Sequence, residues 1–187
     1  MSNEISNMGD FCSATVGRGA SHTEGVEMHG FYHVVCHGPD GTFKWEDTID
    51  NVVTTVGKNL TITGALTNTA QGIAYMGLKG TGTAVVGDTQ ASHGAWLEVG
   101  ATNAPTYTAP RKTPTFGTAS AGAISPTAGQ VFAMIGSGTV AGCFINVGGT
   151  SAIDNTTGTL FSAGDFASAR TVTSGDTLTV SYTATAA

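Results

Sequence analysis

The sequence predicts a mainly β protein, a sandwich or jelly roll of short strands. Three observations point there. The chain carries 27 glycines, about twice the usual share, and they punctuate short apolar runs. Threonine is abundant while lysine, glutamate and leucine are scarce, a balance that favours strand over helix. Apolar runs recur roughly every 8–12 residues with turn chemistry between them. The chain has 187 residues, 40% of them hydrophobic, enough to bury one sizeable core.

Residues 1–28 are polar and glycine-rich, with Phe11, Cys12 and Val16 as isolated apolar points. Such a segment buries too little surface to order itself, so an extended N-terminal arm is expected there. From Gly30 the pattern changes. Phe31, Tyr32, Val34 and Val35 are strand formers, Gly38-Pro39-Asp40-Gly41 is turn chemistry, and Thr42 to Trp45 returns. This predicts a β-hairpin.

The next stretch predicts the one short helix, Asp47 to Val56. Ile49, Val52, Val53 and Val56 recur at helical spacing, Asp47 is suited to cap, and Gly57 is suited to end it. Everything after reads as strand: Leu60–Ile62, Gly72–Leu78, Ala95–Val99, Thr113–Phe116, Gln130–Ile135, Thr139–Val147, Thr159–Phe161, Ala169–Thr173 and Asp176–Thr183. Gly136-Ser137-Gly138 predicts a second hairpin between the runs on either side of it. No fixed repeat or composition shift divides the remainder, so residues 29–187 are expected to form a single β-sandwich domain.

Composition narrows the function classes. Charged residues make up 11% of the chain, only seven are Lys or Arg, and the net charge is −6. Phosphate binding needs clustered cations, so neither nucleic acid nor an anionic membrane surface is an expected partner. Three widely spaced cysteines do not form a disulfide framework. The opening MSNEISNMGD has no basic or apolar leader segment, so synthesis in the cytoplasm without a signal peptide is expected. No apolar run reaches the roughly 20 residues that span a bilayer. Two glycosylation sequons, at Asn59 and Asn155, carry little weight without secretion.

Three places invite chemistry. His29, His33 and His37 are spaced by four, which on a helix would align metal ligands. The residues between them predict a strand, where each step of four spans about 13 Å. That excludes one ion bound by this strand alone, and leaves open a site shared between chains or with His93. In GDTQASHG, Asp88, Ser92 and His93 make no recognisable relay, and a loop cap is expected instead. Asp154, Asp165 and Asp176 lie in turns. They form neither an evident glycosidase pair nor a calcium loop, and Asp176 is expected to hold a turn through its own backbone. No phosphate-binding loop is present. Trp45 and Trp96 are expected to be core or interface anchors. No catalytic residue, metal ligand or cofactor is assigned, and the chain is read as a non-enzyme.

The stretch GFYHVVCHGPDGTFKWEDTIDNVVTTVGKN resembles the opening of a family of small virion proteins of tailed bacteriophages. AYMGLKG, DTQASHGAWLEV, GSGTVAGCF, GTLFSAGDF and RTVTSGDTLTVSYT are similar to the same proteins, over roughly residues 30 to 185. The resemblance implies a jelly-roll-like β-sandwich. It implies a capsid decoration (cement) protein on the outer surface of the virion, bound to the major capsid protein and to itself, with a homotrimer expected. The alternative is a head- or tail-fibre module that binds a receptor or glycan. The candidate interface residues are Phe11, Tyr32, His33, Trp45 and Trp96.

Overall fold

The structure, a computed structural model, describes residues 26–187. Phe11 and nearly all of the expected arm lie outside the described residues. The elements run β1 (Met28–His37), β2 (Phe43–Val53), α1 (Thr55–Thr67), β3 (Ala74–Lys79), β4 (Glu98–Val99), β5 (Ala123–Ile124), β6 (Gln130–Ala133), β7 (Gly138–Val147), β8 (Thr159–Val172) and β9 (Thr177–Ala186). The fold is mainly β and sandwich-like, as expected.

One nine-stranded antiparallel sheet runs β4-β3-β7-β8-β2-β1-β9-β5, with β6 also on β9. It curls because β2 serves both halves. The first part of β2 pairs with β1, and its last three residues, Asn51 to Val53, pair with β8. The segment 106–112 bridges the open side. Lys112 exchanges backbone hydrogen bonds with Met76 of β3, and Thr108 donates to the Ala133 carbonyl of β6.

The inward faces meet in one core. Tyr32, Val34 and Cys36 from β1 pack with Met76 and Leu78 from β3, Cys143 and Ile145 from β7, and Leu178 and Val180 from β9. Each large apolar side chain so removed from water contributes about 1.5–3 kcal/mol. Strand alternation sends the residues between them outward, so His29, Phe31, His33, Val35 and His37 share one outer face of β1. The expected hairpin β1–β2 forms, with a register irregularity at Cys36/His37.

Several sequence expectations are corrected. Asp47–Val56 is not the helix. Ile49, Val52 and Val53 lie in β2, and the helix begins at Thr55. Four apolar β-branched residues suit a strand as well as a helical stripe, and the ladder to β8 decides between them. Thr54 is the cap, its hydroxyl accepting from the Gly57 amide at 3.0 Å. Asp47 instead pairs with Arg170. Gly57 does not end the helix but lets it approach β8, because a Cβ there would lie 2.3 Å from the Phe161 carbonyl oxygen. The helix continues through Leu60–Ile62 to a left-handed C-cap at Asn68.

The second hairpin does not form. β6 pairs with β9, while β7 lies between β3 and β8. Thr159–Phe161 and Ala169–Val172 belong to one long strand, β8. Of Ala95–Val99 only Glu98 and Val99 are strand. Thr113–Phe116 contains only an isolated bridge from Phe116 to Pro126.

Candidate functional site

The two halves of the sheet differ on their outer faces. Over β3-β7-β8 the chain lays a second layer. Trp96, Phe144, Leu160, Ala84 and Ala163 form a smaller apolar cluster there. Gly77 makes this possible, since a Cβ at that position would lie 2.4 Å from the Phe144 ring. The Trp96 indole nitrogen donates to Asp88 at 2.9 Å, and Asp88 also accepts the Val85 amide at 3.0 Å. Asp88 therefore caps the loop as the sequence suggested.

Buried ion pairs fasten this layer. Lys79 pairs with Asp165 and donates to the Gly82 carbonyl. Arg111 forms a two-pronged pair with Glu98 and donates further to the carbonyls of Thr150 and Asn155. Three loop segments, 88–103, 111–112 and 150–157, are thus tied to one guanidinium.

Between the first and last of these segments lies a cavity of about 170 Å³, lined by Gln90, His93, Leu97, Glu98, Asp154 and Asn155 among others. A second hollow adjoins it across His93, Leu97 and Thr156. His93 stacks on Trp96 with ring centroids 4.0 Å apart, and its Nδ1 lies 3.0 Å from the Trp96 carbonyl oxygen. A carbonyl only accepts, so Nδ1 carries a proton. Asp154 has a left-handed backbone, φ 61°, and its Oδ2 accepts the Thr102 amide at 3.1 Å.

Over β2-β1-β9 and β6 the outer face is open among the described residues. Phe31 stands beside Thr183, His33 beside Ser181, Val35 beside Thr179 and His37 beside Thr177. Val131 of β6 lies across Thr179, and Phe43 stacks edge-on against His37 at 6.2 Å. Phe31, Phe43 and Val131 are 38%, 57% and 51% exposed.

The sequence-predicted interface residues divide accordingly. His33 lies on the open face, 3.9 Å from Glu46. Trp45 is half-buried, packed edge-on against Phe166 at 5.8 Å, with its indole nitrogen donating to the Thr171 carbonyl. Tyr32 and Trp96 are core residues, 0% and 2% exposed, so neither is available to a partner. Tyr32 points inward by strand alternation, and its hydroxyl bonds Ser162 at 2.5 Å. Burial pushes its ionisation well above the ordinary tyrosine range. Trp96 is covered by the loop it belongs to.

The three β1 histidines share an outward face, as the strand reading required. Among the described residues, no group of three or more His, Cys, Asp or Glu side chains is placed to hold a metal ion. Sequence reasoning missed Gln90, Asn103 and Asn155, which are ordinary polar residues until the fold brings their loops together.

No protein-family model matches the chain, and neither the curated proteins nor the solved structures yield a match. Fold and site together define a mainly β protein with one covered sheet face and one that is open among the described residues.

Proposed function

We propose that this chain is a structural virion protein of a tailed phage. In this reading it is a decoration protein that binds the outer capsid shell and itself, and stabilises the shell through many repeated contacts. The observation that carries the reading is the open face, where Phe31, Val35, Phe43 and Val131 stand among a row of threonine and serine hydroxyls. Apolar side chains gathered on one exposed face mark an interaction surface, and low charge density suits the core of an interface. The resemblance of the hairpin sequence to small phage virion proteins supplies the partner. The chain's acidic balance fits a protein that meets capsid rather than nucleic acid.

Repeated copies on a symmetric shell turn modest contacts into tight attachment. The test is quantitative mass analysis of purified particles, with shell and tail fractions separated. Copies in fixed proportion to the major capsid protein, all in the shell fraction, support the reading. A handful of copies confined to tails or fibres would overturn it in favour of a receptor-binding module. Phe43→Asp and Val131→Asp, on an exposed face, should preserve folding and abolish rebinding to stripped shells.

A further inference from the structure

One end of the concave side of the sheet is left unfilled. Along β9 the inward positions carry Leu178, Val180 and Tyr182, and then Ala184. Along β3 they carry Leu78 and Met76, and then Ala74. Where the two alanines replace large side chains, a pocket of about 210 Å³ opens. Ile145 and Val147 of β7 and Phe161 of β8 continue its wall. The segment 113–127 supplies the remaining side. It folds back on itself, with the Gly117 amide donating to the Ser125 carbonyl at 2.9 Å and the Thr127 amide to the Thr115 carbonyl at 2.8 Å. Within it, β5 pairs Ile124 with Ala184, and Phe116 and Ile124 both border the pocket.

The exposed wall of this pocket is wholly apolar. Tyr182 contributes only its ring, since its hydroxyl accepts from the Asn51 side-chain amide at 2.8 Å. That ring meets Phe161 edge-on at 6.4 Å. Ala74, Phe116, Val147, Phe161 and Ala184 are only partly buried, so the wall is reachable from solvent. Water finds no hydrogen-bonding partner in such a site. A charged or hydroxyl-rich ligand would surrender its hydration without compensation. A hydrocarbon group surrenders nothing polar, and it supplies the dispersion contacts that the wall lacks on its free side. A dry apolar cavity of about 150 Å³ accepts one benzene ring, so the space here suits one ring or a chain of several carbons. Walls drawn from five strands and a folded loop enclose room for a single group, not a face for another protein.

We propose that this pocket binds a small uncharged hydrocarbon ligand, held by apolar contact alone, with Ala74 and Ala184 making the room for it. The inference stands apart from the virion reading, and either can fail alone. The hydrocarbon belongs to a free ring or to an aliphatic group, and the two are separated by the probes below.

The experiment is a nuclear magnetic resonance titration of the full chain, methyl-labelled, with toluene and with cyclohexane. Benzoate and glucose serve as charged and polar controls. Saturable shifts of the Ala74, Ile124, Val147 and Ala184 methyl signals are expected with at least one hydrocarbon and with neither control. Tighter binding of toluene assigns the site to aromatic rings through Phe116, Phe161 and Tyr182, and equal or tighter binding of cyclohexane assigns it to aliphatic groups. Ala74→Leu and Ala184→Leu fill the pocket from two different strands, and each should weaken binding at least about tenfold. Ala184→Val is a smaller filling that suits a strand, and it keeps the test available if the leucine variants do not fold. Leu66→Ala, on the exposed side of α1, should bind like the parent. No saturable methyl shift with either hydrocarbon, equal affinity for benzoate, or parental affinity in every folded filling variant would each overturn the proposal. So would shifts confined to the Ile62 and Leu66 methyls of α1.

Discussion

Arg111 holds both carboxylate oxygens of Glu98, with Nε 2.8 Å from one and a terminal nitrogen 2.6 Å from the other, and both side chains are almost wholly removed from water. Glu98 also accepts the Asp154 amide at 2.8 Å. Such a pair is worth little against an apolar replacement, yet breaking it is expensive. Arg111→Met should therefore destabilise by about 3–5 kcal/mol, because it leaves a buried carboxylate without its cation. The double variant Glu98→Leu/Arg111→Met should lose much less than the two single losses combined. Urea unfolding of the four proteins measures this, and additive losses would refute the coupling.

Two glycines of α1 give opposite expectations. Gly57→Ala drives a methyl into the Phe161 backbone and should cost about 1–3 kcal/mol. Gly64→Ala meets only the flexible end of Gln71, at 2.8 Å, and should gain about 0.5–1 kcal/mol from helix propensity. Thermal midpoints should move in opposite directions. A fall in both would mean the outer side of the helix is packed more tightly than this geometry implies.

Asp176 sets an acid limit. Burial opposes its ionisation, but the Lys44 ammonium at 2.5 Å and the Thr173 amide at 2.8 Å outweigh it and hold the carboxyl below the usual range. The unfolded chain, with a carboxyl near about 3.9, then binds more protons than the folded one. Stability from this group is present above about pH 4 and drains away as pH falls through the folded value. Asp176→Asn should cost about 1–3 kcal/mol at neutral pH and flatten the acid slope. Calorimetric midpoints across the acid range test it, and an unchanged slope would count against the assignment.

The two described cysteines should be inert. Burial, followed by the nearby Asp176 carboxylate, pushes the Cys36 thiol up to about 11, and burial pushes Cys143 up as well. The thiolate is the reactive form, so neither thiol attacks an alkylating agent readily in the native state. Peptide mapping after iodoacetamide treatment near about pH 8 should find both unmodified until denaturant is added. Prompt native labelling of either would mean that the inner core opens far more often than its packing implies.

The first hairpin was legible because its information is local: aromatic strand formers, then Gly-Pro-Asp-Gly. The helix was legible in kind but not in place. Ile49, Val52 and Val53 satisfy helical and strand patterns alike, and only pairing with Ser162 to Gly164, far along the chain, resolves them. The second hairpin failed for the same reason. Gly136-Ser137-Gly138 is real turn chemistry, but Phe132 pairs with Leu178 rather than across the turn. The fate of Trp96 depends on Gly77 making room for Phe144, which no local pattern encodes. The loop cavity was invisible because Gln90, Asn103 and Asn155 come together only where Arg111 draws Glu98 and Asn155 to one point.

The strand β9 carries a consequence for how the protein is made. It sits between β1 on one side and β5 and β6 on the other, so Met28 pairs with Ala186 and His37 with Thr177. Until residues 177–186 leave the ribosome, β1 and β6 have bare edges and the core lacks Leu178, Val180 and Tyr182. The native state is out of reach of any shorter nascent chain, and closure must wait for some of the most distant pairings in the sequence. Long-range antiparallel closure is slow, and open edges invite association with other chains. Every molecule therefore passes through a stage in which its sheet is nearly built and two of its strand edges are still unpaired.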